Sequence, residues 1–114
     1  MTQQRPERYR VDFTVFLSWQ DRKGAIRSVS GRCLDLSPAG LLIETRDALT
    51  TGQMVLVQSG EFGRMGHASV RHCRREPMKY FVGLQFTAPF GVGDPVRRKI
   101  LEGVLSEANG DKVA

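Results

Sequence analysis

"RCLDLSPAGLLIET", residues 32–45, holds two apolar runs separated by a short polar interruption. Asp35, Ser37 and Gly40 fall together at the break. Asp and Ser can hydrogen-bond their own backbone in a turn, and glycine supplies dihedrals that other residues avoid. The segment therefore reads as strand, turn, strand, with "GLLIET" (40–45) as the second strand.

The same alternation extends outward from this turn. "VDFTVFLSW" (11–19) puts Val11, Phe13, Val15, Leu17 and Trp19 on one face, the period-two pattern of a half-buried strand. "QDRKG" (20–24) is a turn. "AIRSVSGRCLDL" (25–36) is a longer second strand, in which Gly31 marks a bulge or a close approach of another backbone. After the loop "DALTTG" (47–52) come the strand "QMVLVQS" (53–59), the turn "GEFG" (60–63), and "RMGHASVRHCRRE" (64–76), a strand of uneven polarity. "PMK" (77–79) turns the chain into "YFVGLQF" (80–86), where Tyr80, Val82, Leu84 and Phe86 alternate. Short strands at intervals of about ten residues, broken by glycine, predict an all-β fold. The expected architecture is a six-stranded antiparallel, Greek-key-like β-barrel, whose closure removes exposed edges.

The C-terminal part differs in kind. In "GVGDPVRRKILEGVLSEANG" (91–110), Asp94 is a candidate N-cap, Pro95 suits the first helical position, and Asn109-Gly110 is a stop signal. Val96, Ile100, Val104 and Ala108, with Leu101 and Leu105, form one apolar stripe. This predicts a helix over about 94–108 that covers an end or side of the barrel. Residues 1–10 read as a flexible arm bearing Arg5, Arg8 and Arg10, residues 11–109 as the folded domain, and 110–114 as a frayed tail.

A length of 114 residues suits one domain with one modest core. No apolar run approaches the roughly 20 residues of a membrane span, and the polar N-terminus lacks a signal-peptide core. A soluble, cytoplasmic protein with no membrane partner is the default expectation. Cys33 and Cys73 lack the spacing of a metal or redox pair and read as reduced thiols, and His67 and His72 read as strand residues, so no metal is expected. The formal charge is +5, with thirteen arginines against four lysines. Arginine's planar fork suits phosphate and guanine edges, which favours an anionic partner.

Signatures of catalysis are missing: there is no G-x-S-x-G, Walker loop, H-E-x-x-H or G-x-G-x-x-G. Asp12, Glu44, Glu61 and Glu76 occupy ordinary strand or loop positions. The chain reads as a binding protein, not an enzyme.

From about Arg5 to Ala108 the chain resembles the PilZ domain family, the bacterial receptor module for cyclic di-GMP. The resemblance rests on "DLSPAG" (35–40), the "LLIE" after it, the "SVRHCRREPMKYFVGLQF" that would form the two closing strands, and the arginines before the first strand. It implies that the arginines wrap over the ligand while Asp35, Ser37 and Gly40 meet a guanine from the barrel side. The family's R-x-x-x-R pair is displaced here: four residues before Arg10 stands Pro6, with Arg5 and Arg8 on either side of it. The site residues implied are Arg5, Arg8, Arg10, Asp35, Ser37 and Gly40, with cyclic di-GMP as ligand, no further cofactor, and a partner protein to receive the signal. The alternative is a PilZ-like interaction module without ligand. A barrel for single-stranded nucleic acid is less favoured, because most strand aromatics fall on faces expected to be buried.

Overall fold

The computed structural model describes residues 8–91 and 94–110, with side chains of the terminal helix as far as residue 103. Its strands are β1 (Tyr9–Gln20), β2 (Ile26–Leu36), β3 (Gly40–Thr45), β4 (Met54–Ser59), β5 (Gly63–Glu76) and β6 (Lys79–Phe86), followed by helix α1 (Pro95–Gly110). The sheet closes on itself in the order β1-β2-β3-β6-β5-β4, with every pair antiparallel. The seam lies between β1 and β4, with Val15 opposite Ser59 and Leu17 opposite Val57. This is the expected six-stranded barrel.

Alternation in β1 buries Val11, Phe13, Val15 and Leu17, which face Ile43, Val55, Val57, Val70 and Val82 across the barrel core. Fully burying one such side chain contributes roughly 1.5–3 kcal/mol. Trp19 and Tyr80 pack against this core only partly buried. One aromatic cluster was not flagged by strand alternation, because two of its members lie outside strands. Phe62 meets Phe13 edge-on at 5.5 Å and Phe90 at 5.1 Å, and Phe90 stacks on Phe86 at 5.6 Å. The Phe62 N–H donates to Ser59 Oγ at 3.0 Å, fixing the turn that carries the ring.

Of the two roles open to Gly31, the close approach is the one observed. A Cβ there would lie 2.8 Å from the Glu44 carbonyl oxygen. The β5–β6 turn is shorter than "PMK": Glu76 pairs with Lys79, leaving Pro77 and Met78 as the loop, with Met78 in the left-handed region at φ 66°.

Three other expectations are corrected. Strand β1 starts at Tyr9, with Tyr9 opposite Leu36 and Arg10 opposite Asp35, so the last two residues of the expected arm belong to the sheet. Residues 1–7, Arg5 among them, and 111–114 lie outside the described residues. Helix α1 begins as expected, Asp94 Oδ1 accepting the N–H groups of Val96 and Arg97 at 3.0 and 3.2 Å, but Gly110 is still helical. The apolar stripe does not begin at Val96, which is exposed. Arg97 turns inward instead, its guanidinium over the Phe90 ring and donating to the Arg64 carbonyl. Ile100 and Leu101 pack against the core; the side chains of Val104, Leu105 and Ala108 lie outside the described residues.

Candidate functional site

Strict alternation along β2 would put Cys33 and Asp35 on the same face. The observed fully buried pair is Cys33 and Leu36. The inversion comes from a bulge: Cys33 faces Ile43 and Asp35 faces Leu42, so β2 carries one residue, Leu34, that β3 does not match. The extra residue turns Asp35 out of the barrel, its side chain 26% exposed, and gives the inward place to Leu36. A carboxylate left unpaired in the core would be far costlier than this distortion. The Cys33 thiol spans the bulge, donating to the Asp35 carbonyl at 3.4 Å. Burial pushes that thiol up to about 12, so it keeps its proton at neutral pH.

The turn that follows is tied into itself. Ser37 N–H donates to the Gly40 carbonyl at 2.9 Å, and Gly40 N–H to that of Ser37 at 3.3 Å. Ser37 Oγ accepts from the N–H groups of Ala39 and Gly40, both at 3.2 Å, and lies 3.3 Å from the Gly40 carbonyl oxygen, to which it donates. The end of β6 and the segment after it hold this turn in place, Phe86 N–H donating to Ala39 O and Phe90 N–H to Pro38 O, each at 2.8 Å. A Cβ on Gly40 would sit 2.1 Å from the Leu84 carbonyl oxygen. Glycine is needed there for the approach of β6 to β3. Ser37 and Gly40 thus shape the turn, and Asp35 carries the outward-facing functional group.

A second bulge builds the opposite wall. Val70 faces Leu84 and His72 faces Gly83, so Arg71 is the extra residue of β5. Val70 and Cys73 turn toward the core, which leaves Arg71, His72 and Arg74 outside. The His72 imidazole lies over Gly83, its Nε2 only 2.1 Å from where a Cβ would stand. Between the walls runs a groove of about 980 Å³, floored by Leu42 and Gly83, with Phe81 and Gln85 along β6. Arg8 also lines it, its Nε 3.9 Å from Asp35 Oδ2.

Of the expected site residues, Arg8, Asp35, Ser37 and Gly40 come together at this groove. Arg10 is exposed and directly opposite Asp35 in register, yet it is not among the groove-lining residues. Arg71, His72, Arg74, Phe81 and Gln85 were missed. For Arg71, His72 and Arg74 the only trace in the sequence is the uneven polarity of "RHCRRE", where two adjacent outward residues break the alternation. Phe81 and Gln85 fall on the outward face left by the alternation of Tyr80, Val82, Leu84 and Phe86.

Three arginines and one carboxylate give the groove a positive balance. The neighbouring charges largely cancel one another. Arg32 forks onto Asp12 at 3.0 and 2.5 Å and lies 3.7 Å from Glu44, which Lys79 approaches at 2.7 Å. The bond from Arg32 holds the Asp12 carboxyl below its usual range. A groove with fork-shaped cations on its walls, one outward carboxylate and an apolar floor can hold a flat, multiply anionic ligand. Among the described residues, no helix is long and apolar enough to cross a membrane.

The PilZ domain family model matches residues 3–105. Among solved structures, the PilZ domain of YcgR from Escherichia coli with c-di-GMP is 16% identical, with a TM-score of 0.63 over 98% of each chain. The K. pneumonia MrkH–c-di-GMP complex is 20% identical at a TM-score of 0.61, over 96% of this chain and 54% of that one. The Bacillus subtilis inhibitor of motility MotI/DgrA is 14% identical at 0.60, over 99% and 53%. The chain therefore spans the whole of the first and about half of the other two, and the likeness is one of fold. No curated protein matches it.

Proposed function

This chain belongs to the PilZ domain family, and on that premise we propose that it is a cyclic di-GMP receptor that passes its signal to a partner protein. The observation that carries the reading is the convergence of Arg8, Asp35, Arg71 and Arg74 on one groove. The ligand has two phosphodiesters and two guanines. Guanidinium forks can take a phosphate or the O6 and N7 of guanine. The Asp35 carboxylate accepts guanine N–H groups. A volume of about 980 Å³ is at the upper end of the roughly 300–1,000 Å³ usual for small-molecule sites.

In this reading Ser37 and Gly40 act by holding the turn, and Arg10 stands beside Asp35 where a ligand edge can reach it. The segment before Tyr9, with Arg5 and Arg8, folds over the dinucleotide. The ordered arginines and ligand then form a surface that a partner protein can read. The protein's work is binding rather than catalysis.

A second reading, a ligand-free interaction module, is favoured by one observation: the turn's own hydrogen bonds and the approach of β6 already account for Ser37 and Gly40. Calorimetric titration with cyclic di-GMP, with cyclic di-AMP and GTP as controls, separates the two. The receptor gives saturable binding to cyclic di-GMP alone. No heat at ~100 µM ligand, about −5.5 kcal/mol, establishes the adaptor instead. Arg10→Ala and Asp35→Ala weaken binding without unfolding the barrel, and Arg5→Ala tests whether that arginine is recruited despite its displacement.

A further inference from the structure

Arg74 and Phe81 are direct cross-strand partners at one end of the groove. The guanidinium carbon of Arg74 lies over the Phe81 ring, 5.1 Å from its centroid, and Nε is 3.6 Å from Glu76 Oε2. Lys79 Nζ approaches the same ring at 5.2 Å while bonded to Glu44. The side chain of Arg74 remains 68% exposed, and both it and Phe81 line the groove.

We propose that Arg74, laid over Phe81, is a stacking plate for one purine of the dinucleotide, so that base, guanidinium and phenyl ring make three layers. This inference rests on the receptor reading above. A guanidinium is planar and weakly hydrated, and it stacks on π-faces as a lysine ammonium does not. The Phe81 ring and Glu76 hold the long side chain before ligand arrives, which lowers the entropy lost on binding. Arg71 and Arg8 already supply charge for the phosphates, so the distinctive contribution of Arg74 is its plane. A stack accepts any purine. The choice of guanine then falls to Asp35, while Arg74 supplies affinity for the flat face of the base.

The test separates plane from charge. Wild type, Arg74→Lys, Arg74→Ala and Phe81→Leu are titrated with cyclic di-GMP at several salt concentrations, folding being checked by circular dichroism and melting. The plate predicts that Arg74→Lys keeps the wild-type salt slope yet loses roughly tenfold in affinity, within the worth of one base stack. Phe81→Leu loses affinity in the same way. If Arg74→Lys binds within twofold of wild type while Arg74→Ala falls, Arg74 is only a charge; the inference is overturned and the receptor reading stands. If wild type itself fails to bind, the receptor reading falls and takes the plate with it. Should Phe81→Leu unfold, Arg74→Lys, an exposed substitution, decides alone.

Discussion

On the turn side of the groove, Leu34 is the extra residue that sends Asp35 outward; on the far side, Arg71 is the extra residue that sends His72 and Arg74 outward. The device is shared, but the two walls use their polar groups differently. Ser37 spends its hydroxyl on the turn, Gly40 makes room for the Leu84 carbonyl, and the Cys33 thiol bonds the Asp35 carbonyl. Along β5, the polar side chains stand over the groove, with His72 on Gly83 and Arg74 on Phe81. The wall that carries a recognisable pattern is the one where backbone geometry demands particular residues. The other wall presents charge and one planar stack, Arg74 over Phe81.

Substitutions can break this contrast. The largest effect is expected at Gly40. An added Cβ meets backbone at 2.1 Å, so Gly40→Ala should destabilise by about 3 kcal/mol, the upper part of the range for overpacking, measured by urea unfolding. Arg71→Ala should do the reverse, leaving the urea midpoint nearly unchanged while weakening cyclic di-GMP binding about ten- to a hundredfold in calorimetry, the worth of one charge-assisted contact. Equal stability losses for the two variants would dissolve the distinction between the walls.

Ser37→Ala leaves two N–H groups of the turn without their acceptor and should cost about 1–2 kcal/mol in thermal or urea unfolding. Binding per folded molecule should stay close to wild type. A large affinity loss at full stability would make Ser37 a ligand contact rather than a turn residue.

The Cys33 thiol supplies a pH test of the same wall. Below its ordinary value of 9.0, it is protonated in both folded and unfolded chains. Above that value the unfolded chain releases the proton, whereas burial holds it in the folded chain until about pH 12. Its contribution to stability therefore falls by about 1.4 kcal/mol per pH unit across this window. Unfolding curves between pH 8 and about pH 10 should show a steeper alkaline decline in wild type than in Cys33→Ala. The smallest effect belongs to Gly83→Ala. The nearest atoms to its added Cβ are those of the His72 imidazole, a side chain that can swing away, so stability should change by less than about 1 kcal/mol. Ligand affinity, by contrast, should report the displaced ring.

The barrel was legible because its strands obey a simple rule. Val11, Phe13, Val15 and Leu17 alternate in sequence and are buried in the structure. Phe62 and Phe90 were not legible, since they enter the core from turns where no period operates. Arg97 displaced Val96 from the inward face of α1 because the Phe90 ring and the Arg64 carbonyl offered its guanidinium a place. At the site, Asp35, Ser37 and Gly40 could be located because a turn limits which residues it accepts. Arg71, His72 and Arg74 could not, because a bulge is a mismatch in count between two strands, and neither strand records it alone.

The bulge at Leu34 makes the groove sensitive to chain length in a way that differs from its sensitivity to chemistry. Replacing Asp35 takes the outward carboxylate from the turn-side wall. Removing Leu34 restores unbroken alternation along β2 yet leaves Cys33 inward, Asp35 outward and Leu36 inward, because the three then follow one another opposite Ile43, Leu42 and Leu41. A one-codon deletion at Leu34 therefore straightens the strand and keeps the wall's carboxylate in place, which a point substitution at Asp35 does not.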